Sequence, residues 1–251
     1  MNPFYFGPSR RPLFGLYTRA RGRYEAGPAA LLCYPVGSEY MRAHRAFRQL
    51  NGLLNREGLH VLRFDYSSTG DSSGSGREAS LRNWLDDIGW AIEELKDTAM
   101  VEQVSVVGLR WGGTLAALAC ADRSDVGRLV LWDPIVSGRA YLDDRVGTPR
   151  PRGEIGIEGY PFSQALRDEM DAVDLRHLDG ELPTDTTLLV ARDREEYRRW
   201  VDPSRAGGRS VAYRVVPSSG DWAQADPFGD ALIPQRIIQA IVQELTRVDV
   251  R

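Results

Sequence analysis

Short apolar runs that alternate with amphipathic stretches limit this chain most. Ala29-Ala30-Leu31-Leu32-Cys33-Tyr34 is a continuous apolar run of strand length, the pattern of a strand buried on both faces. After it, Ala43, Ala46, Phe47, Leu50, Leu53 and Leu54 are spaced for one face of a helix, and Gly58 is placed to end it. Val61–Phe64 is a second strand. Leu81, Trp84, Leu85, Ile88, Ala91, Ile92 and Leu95 form a second helical stripe. Val104–Val107 and Leu129–Trp132 are further strands. Between them, Thr114 to Ala121 is apolar nearly all round and predicts a buried helix. This alternation predicts an α/β fold, a mostly parallel sheet with helices on both faces.

The rhythm breaks at about Ser137 and resumes with the strand Thr187–Ala191. Ser210–Val216 and a helix from Pro234 follow. Residues 137–185, rich in Gly, Pro and charge, predict an inserted lid with one or two short helices. Residues 1–136 and 186–251 would then form the core. At 251 residues, one domain of this kind buries roughly 70–75% of its extended surface.

Several functions are disfavoured. Lys and Arg number 32 against 35 Asp and Glu, and they are scattered, so no nucleic-acid partner is expected. No apolar run is long enough to cross a bilayer, and the N-terminus lacks the apolar core of a secretory signal. Cys33 and Cys120 lie in apolar segments and read as reduced core thiols of a cytoplasmic protein. The three histidines, His44, His60 and His177, share no metal-ligand spacing, so neither metal nor cofactor is expected. His60 reads as a core histidine and His177 as a lid residue. A homodimer is left open.

Val106-Val107-Gly108-Leu109-Arg110-Trp111-Gly112-Gly113 is the most informative segment. Gly108 and Gly112 flank a strand-to-helix turn with the spacing of G-x-S-x-G, the nucleophile elbow. Arg110 takes the nucleophile's position, and arginine is no nucleophile. With PFYFGPSRRPLFGLYTRA, LLCYPVGSEYMRAHRAFRQL, LHVLRFDYSSTGDSSG and LVLWDPIVSGRAYL, this segment resembles the α/β-hydrolase superfamily. The likeness is to the bacterial serine-aminopeptidase-like (S33) and exosortase-A-system-associated hydrolases. It covers most of residues 3–142.

That resemblance implies a triad in which serine falls on Arg110 and the acid on Asp193, or alternatively on Asp133. The base histidine would fall within Pro217–Trp222, which has none. Losing the nucleophile alone typically costs about 10⁶-fold in turnover. An oxyanion hole would remain, with the N–H groups of Trp111 and Val36 as donors. Arg110 would add a fork of donors suited to a carboxylate. Gly37, Tyr40, Tyr66, Asp133, Arg139 and Trp222 are candidates to line the pocket, and Tyr141 begins the lid beside Arg139. Asp193, Asp221 and His44 are candidate bases. Arg110 either contacts a ligand or is a structural ion pair with Asp193, Asp133 or Asp221. The loop Asp65–Gly74 lacks a P-loop ending and reads as structural.

The first expectation is therefore an enzyme without a serine nucleophile, acting on a polar small molecule or modified peptide that bears a carbonyl or carboxylate. Isomerisation, epimerisation, elimination and cyclisation all suit it, in specialised metabolism. Two further readings stay open: a pseudo-hydrolase that only binds, and a hydrolase using Ser38 with His44.

Overall fold

The structure, a computed structural model, describes residues 1–21, 27–144, 155–157, 160–202, 211–218, 222 and 233–247. The chain opens with an antiparallel hairpin, β1 (Asn2–Phe6) and β2 (Leu13–Thr18). Strands and helices then alternate: β3 (Ala29–Cys33), α1 (Ser38–Arg56), β4 (His60–Phe64), α2 (Leu81–Ala99), β5 (Val104–Leu109), α3 (Trp111–Cys120) and β6 (Val126–Trp132). An insert follows, with α4 (Gly138–Asp143), the short hairpin β7 (Ile155–Ile157) and β8 (Tyr160–Phe162), α5 (Gln164–Asp171) and a 3-10 turn at Leu175–His177. The chain returns to the sheet with β9 (Asp185–Val190), α6 (Glu195–Val201), β10 (Val211–Val215) and α7 (Gln235–Thr246).

Eight strands form one sheet in the order β1-β2-β4-β3-β5-β6-β9-β10. All neighbours from β4 to β10 run parallel, while β1 pairs antiparallel with β2 and β2 antiparallel with β4. Every residue of β3 and β4 is buried, as expected for central parallel strands covered on both faces. α3 is buried along most of its length, so it needs no polar face. α2 starts where the Ser80 hydroxyl accepts the Asn83 N–H. α1 stops before Gly58, whose φ of 86° suits glycine.

The parallel core matches the expected alternation. The N-terminal hairpin lies outside it. Leu13, Gly15 and Tyr17 face inward while their neighbours are half-buried, a period-two pattern. A reading tuned to continuous apolar runs passes over such a strand. His60 is buried in β4, where its Nδ1 shares a hydrogen bond with the Tyr17 hydroxyl. Both cysteines are buried and free. The Asp65–Gly74 loop is tied to itself: the Asp65 carboxylate accepts the Asp71 N–H at 3.0 Å, and the Ser72 hydroxyl donates to the Asp65 carbonyl at 2.5 Å. Among the described residues no helix is long and apolar enough to cross a membrane.

The insert joins the core at tight contacts. A Cβ on Gly138 would fall 1.8 Å from the Met170 carbonyl oxygen, so α4 and the end of α5 touch backbone to backbone.

The closest approach in the sheet layer is at Gly112, where a Cβ would lie 2.2 Å from the Tyr34 carbonyl oxygen and 2.3 Å from that of Cys33. Gly112→Ala should therefore destabilise the fold by about 1–3 kcal/mol or more, as forced overpacking does. Gly52, in α1, has open space where its Cβ would be. There alanine should stabilise by about 0.5–1 kcal/mol through helix propensity. Urea unfolding of the two variants checks both signs.

Candidate functional site

β5 passes into α3 through one residue, Arg110, at φ 54°, ψ −122°. The glycines on either side dictate that sharpness. A Cβ on Gly108 would lie 2.3 Å from the Gly112 carbonyl oxygen, so strand and helix meet without side chains between them. Holding a non-glycine residue at such a φ costs on the order of 1–3 kcal/mol. The surroundings hold it: the Arg110 N–H donates to the Trp132 carbonyl at 3.0 Å. The Arg110 carbonyl accepts the N–H groups of Gly113 at 2.9 Å and Thr114 at 3.1 Å. Trp111, at the first helical position, has no intrahelical acceptor for its N–H.

The Arg110 side chain turns inward and is only 8% exposed. Its Nε donates to Oε1 of Glu39 at 3.1 Å, and Nη1 reaches the Asp133 carbonyl at 3.4 Å. Its Cζ stands 6.0 Å from the Tyr141 ring centre. Burial alone would lower the Arg110 pKa. The Glu39 carboxylate, with Tyr197 and Asp133 adding to it, outweighs that and raises it further, so the charge is permanent.

Glu39 was not among the expected partners, yet its spacing points inward. It precedes Ala43, Ala46 and Leu50 on the buried stripe of α1, and it is fully buried itself. A carboxylate on that stripe needs a cation in the interior. Gly37, at φ 66°, sets the entry into α1 that directs Glu39 there.

Asp133, just past β6, also has a positive φ, 42°. Its Oδ1 accepts the Ala191 N–H at 2.8 Å. Burial pushes its pKa up, partly offset by that hydrogen bond and by Arg110. Beside it, the buried Tyr197 hydroxyl donates to the Pro134 carbonyl at 3.1 Å. Val36 is buried in the loop between β3 and α1. Trp111 packs edge-on against Tyr141 at 5.6 Å, and Trp222 edge-on against Trp132 at 5.4 Å. The indole N–H groups of Trp111 and Trp132 are buried with no acceptor among the described residues. Phe162 of the insert comes within 3.8 Å of where a Gly37 Cβ would be.

Other expected residues are elsewhere. Asp193 is exposed and paired with Arg198, and it accepts the Tyr213 hydroxyl at 2.7 Å. The guanidinium of Arg198, then the Tyr213 hydroxyl, holds its carboxyl below the usual range. It is thus a surface partner, because it lies beyond the strand end that Asp133 occupies one strand earlier. Asp221 lies outside the described residues. Tyr66 belongs to the core, wedged between Phe64 and Trp84. Arg139 is exposed on α4 and pairs with Asp171 at 2.9 Å, while its neighbour Tyr141 turns inward. His177 is likewise exposed, 3.6 Å from Asp174.

Tyr40 donates its hydroxyl to Asp65 at 2.7 Å, one residue along the helix from Glu39 but on another face. His44 is exposed and stacks over Tyr34 at 6.3 Å. Partial burial and the nearby Arg63 lower its pKa, so it is neutral near pH 7. Ser38 and His44, six residues apart on α1, lie about 120° apart around the helix axis. No cluster of three or more metal-ligating side chains occurs among the described residues.

The ion pair generates a stability prediction. Glu39→Leu leaves a buried guanidinium uncompensated and should cost about 3–5 kcal/mol. The double variant Glu39→Leu/Arg110→Met removes both charges and should recover most of that loss. Denaturant unfolding of the three proteins measures it.

No family model matches the sequence, and no curated protein matches it either. Solved structures do. Est1E from Butyrivibrio proteoclasticus, with ferulic acid bound, superposes with a TM-score of 0.71 at 15% identity, over 97% of this chain and 96% of that one. Mouse alpha/beta hydrolase domain-containing protein 10 gives 0.61 at 17% identity, over 96% of both chains. A thioesterase domain from the curacin biosynthetic pathway gives 0.61 at 13% identity, over 98% of this chain and 99% of that domain. Sheet order, elbow and superpositions together show that this chain has the α/β-hydrolase fold.

Proposed function

We propose that this chain is an enzyme of the α/β-hydrolase fold that works without a serine nucleophile. It would move a proton next to the carbonyl or carboxylate of a polar small molecule or modified peptide. One observation carries the reading. Arg110 and Asp133 are two strained non-glycine residues just past adjacent strands β5 and β6, both buried; the Arg110 guanidinium reaches the Asp133 carbonyl, and the Asp133 carboxylate lies near enough to act on its charge. Strain of this kind collects at functional sites.

In this mechanism the substrate's carbonyl oxygen faces the Arg110 guanidinium and the N–H groups of Trp111 and Val36. Asp133, made more basic by its burial, takes the proton from the adjacent carbon. The C–H electron pair moves onto the oxygen, and the resulting enolate is held by the donors. Return of the proton to the other face gives epimerisation or isomerisation, and loss of a β-substituent gives elimination. Glu39 keeps Arg110 in place and does not itself touch substrate. Asp133 thus takes the base role, since Asp193 and His44 face solvent.

The insert 137–185 acts as a lid in this reading. It supplies Tyr141 beside Arg110 and Phe162 beside Gly37. The finer likeness to serine-aminopeptidase-like and exosortase-associated hydrolases rests on the sequence stretches quoted above. The small exposure of Arg110 favours a second reading, a pocket that binds such a ligand without turning it over.

The test is exchange in D₂O with a panel of 2-oxo acids, 3-hydroxy acids and short peptides, read by mass spectrometry. Deuterium should enter beside a carbonyl in at least one of them. Arg110→Ala and Asp133→Asn should each slow the exchange by about 10²–10⁴-fold, the usual contribution of an oxyanion donor or a general base. A serine-directed fluorophosphonate should label nothing. Binding without exchange would select the second reading, and covalent labelling of a serine would overturn both.

A further inference from the structure

Among the described residues two arginines are buried, Arg63 and Arg110, and the fold treats them differently. Arg110 meets the Glu39 carboxylate. Arg63, on β4, is only 2% exposed and meets no carboxylate among the described residues. Its Nη1 donates to the Tyr34 hydroxyl at 2.8 Å, and its Nη2 to the Met1 sulfur at 3.4 Å. Its Nε is buried with no acceptor. A surface arginine without a carboxylate is solvated by water. A buried one is not, and an uncompensated charge in the interior is strongly unfavourable.

The unmet donors share one edge of the guanidinium. Nε and Nη2 point side by side, the pair that fits both oxygens of a carboxylate. Tyr34 takes the remaining nitrogen, and the carboxylate-matching edge has only a thioether, a weak acceptor. Asp65, two residues along the chain, does not fill the need. Its Oδ1 accepts the Tyr40 hydroxyl at 2.7 Å and its Oδ2 the Asp71 N–H at 3.0 Å. Tyr34 packs against Tyr40 at 5.1 Å and stacks with His44 at 6.3 Å. His44 is held neutral, first by partial burial and then by Arg63, so it adds no positive charge. Met1 is 59% exposed and belongs to no strand or helix, so rotation of its side chain uncovers Nη2.

We propose that the Nε–Nη2 edge of Arg63 binds a short, unbranched monocarboxylic acid, which takes the place of the Met1 side chain. One buried positive charge calls for one negative charge. A dicarboxylate or a doubly charged phosphate would bring a second negative charge towards Asp65, whose own charge already acts on Tyr34 and His44. The side chain to be displaced is itself unbranched and ends in a methyl group, so the space it leaves suits a straight alkyl chain such as that of butyrate. Binding exchanges a thioether for a charge-assisted, two-pronged contact, which is the stronger by chemistry alone. The site is separate from the elbow, since β3 lies between β4 and β5. It does not depend on the chemistry proposed at Arg110.

The experiment is a butyrate titration of the whole chain labelled with ¹³C at its methionine methyl groups, followed by NMR at constant ionic strength. The chain has four methionines. Met41 and Met100, 65% and 64% exposed, are matched controls for Met1, and Met170 is buried. The Met1 methyl signal should shift saturably while the other three stay in place. Butanol and butylammonium, of the same shape without the negative charge, should not move it. Arg63→Lys keeps the charge but loses the paired edge and should weaken binding at least tenfold, and Arg63→Met should abolish it. Circular dichroism verifies that these variants are folded. The double variant Glu39→Leu/Arg110→Met should bind butyrate as the parent does, whether or not the elbow turns over a substrate. No saturable Met1 shift would overturn the proposal, as would equal shifts at Met41 and Met100 or an effect of butanol matching that of butyrate. A shift that survives Arg63→Met, or one that phosphate or sulfate produces at lower concentration than butyrate, would overturn it as well.

Discussion

Backbone contact between β5 and α3 is the constraint on which the rest depends. With no side chain at Gly108 or Gly112, the helix sits directly on the strand and on the ends of Tyr34 and Cys33. The chain then has one residue in which to reverse, and that residue takes a positive φ whatever its side chain. Its side chain is thereby set at the C-terminal edge of the sheet, the usual place for a ligand in an open α/β sheet. Its chemistry is free to differ, because the backbone and not the side chain makes the turn.

A guanidinium at that point creates its own demands. It cannot be neutralised by losing a proton, so the interior must supply negative charge. The fold meets this with Glu39, projected from the first turn of α1, and with the carbonyl of Asp133. Tyr141 closes one side from the insert, and Tyr197 packs behind from α6. Four separate elements thus converge on a single cation. The indole N–H groups of Trp111 and Trp132 are also buried, with no acceptor among the described residues.

The central sheet was legible because continuous apolar strands and striped helices alternate without ambiguity, from Ala29 to Trp132. The elbow was legible because its glycines answer a purely local steric need. Arg110 itself could be read as buried cation or ligand contact, but its partner could not be named. The resemblance places the acid after a strand, on Asp193 or Asp133. The partner was a glutamate on a helix, visible only as a carboxylate in phase with the apolar stripe of α1. Asp193 shows the opposite error, since a position suited to an acid turned out to serve a surface pair with Arg198. Tyr66 and Arg139 differ from expectation similarly: one is drawn into the core by Phe64 and Trp84, the other faces solvent two helical positions before the inward Tyr141.

By itself, then, the sequence determined the layered parallel architecture, the place of the elbow and the arginine at its turn. Those follow from periodicity, from glycine spacing and from residue identity, which are all local. Only the tertiary structure decided which carboxylate meets Arg110, that Asp133 lies beside it with a raised pKa, and that the insert contributes Tyr141. Those depend on side chains far apart in sequence meeting over strand ends, and the direction of each is set by packing that no short window of residues contains.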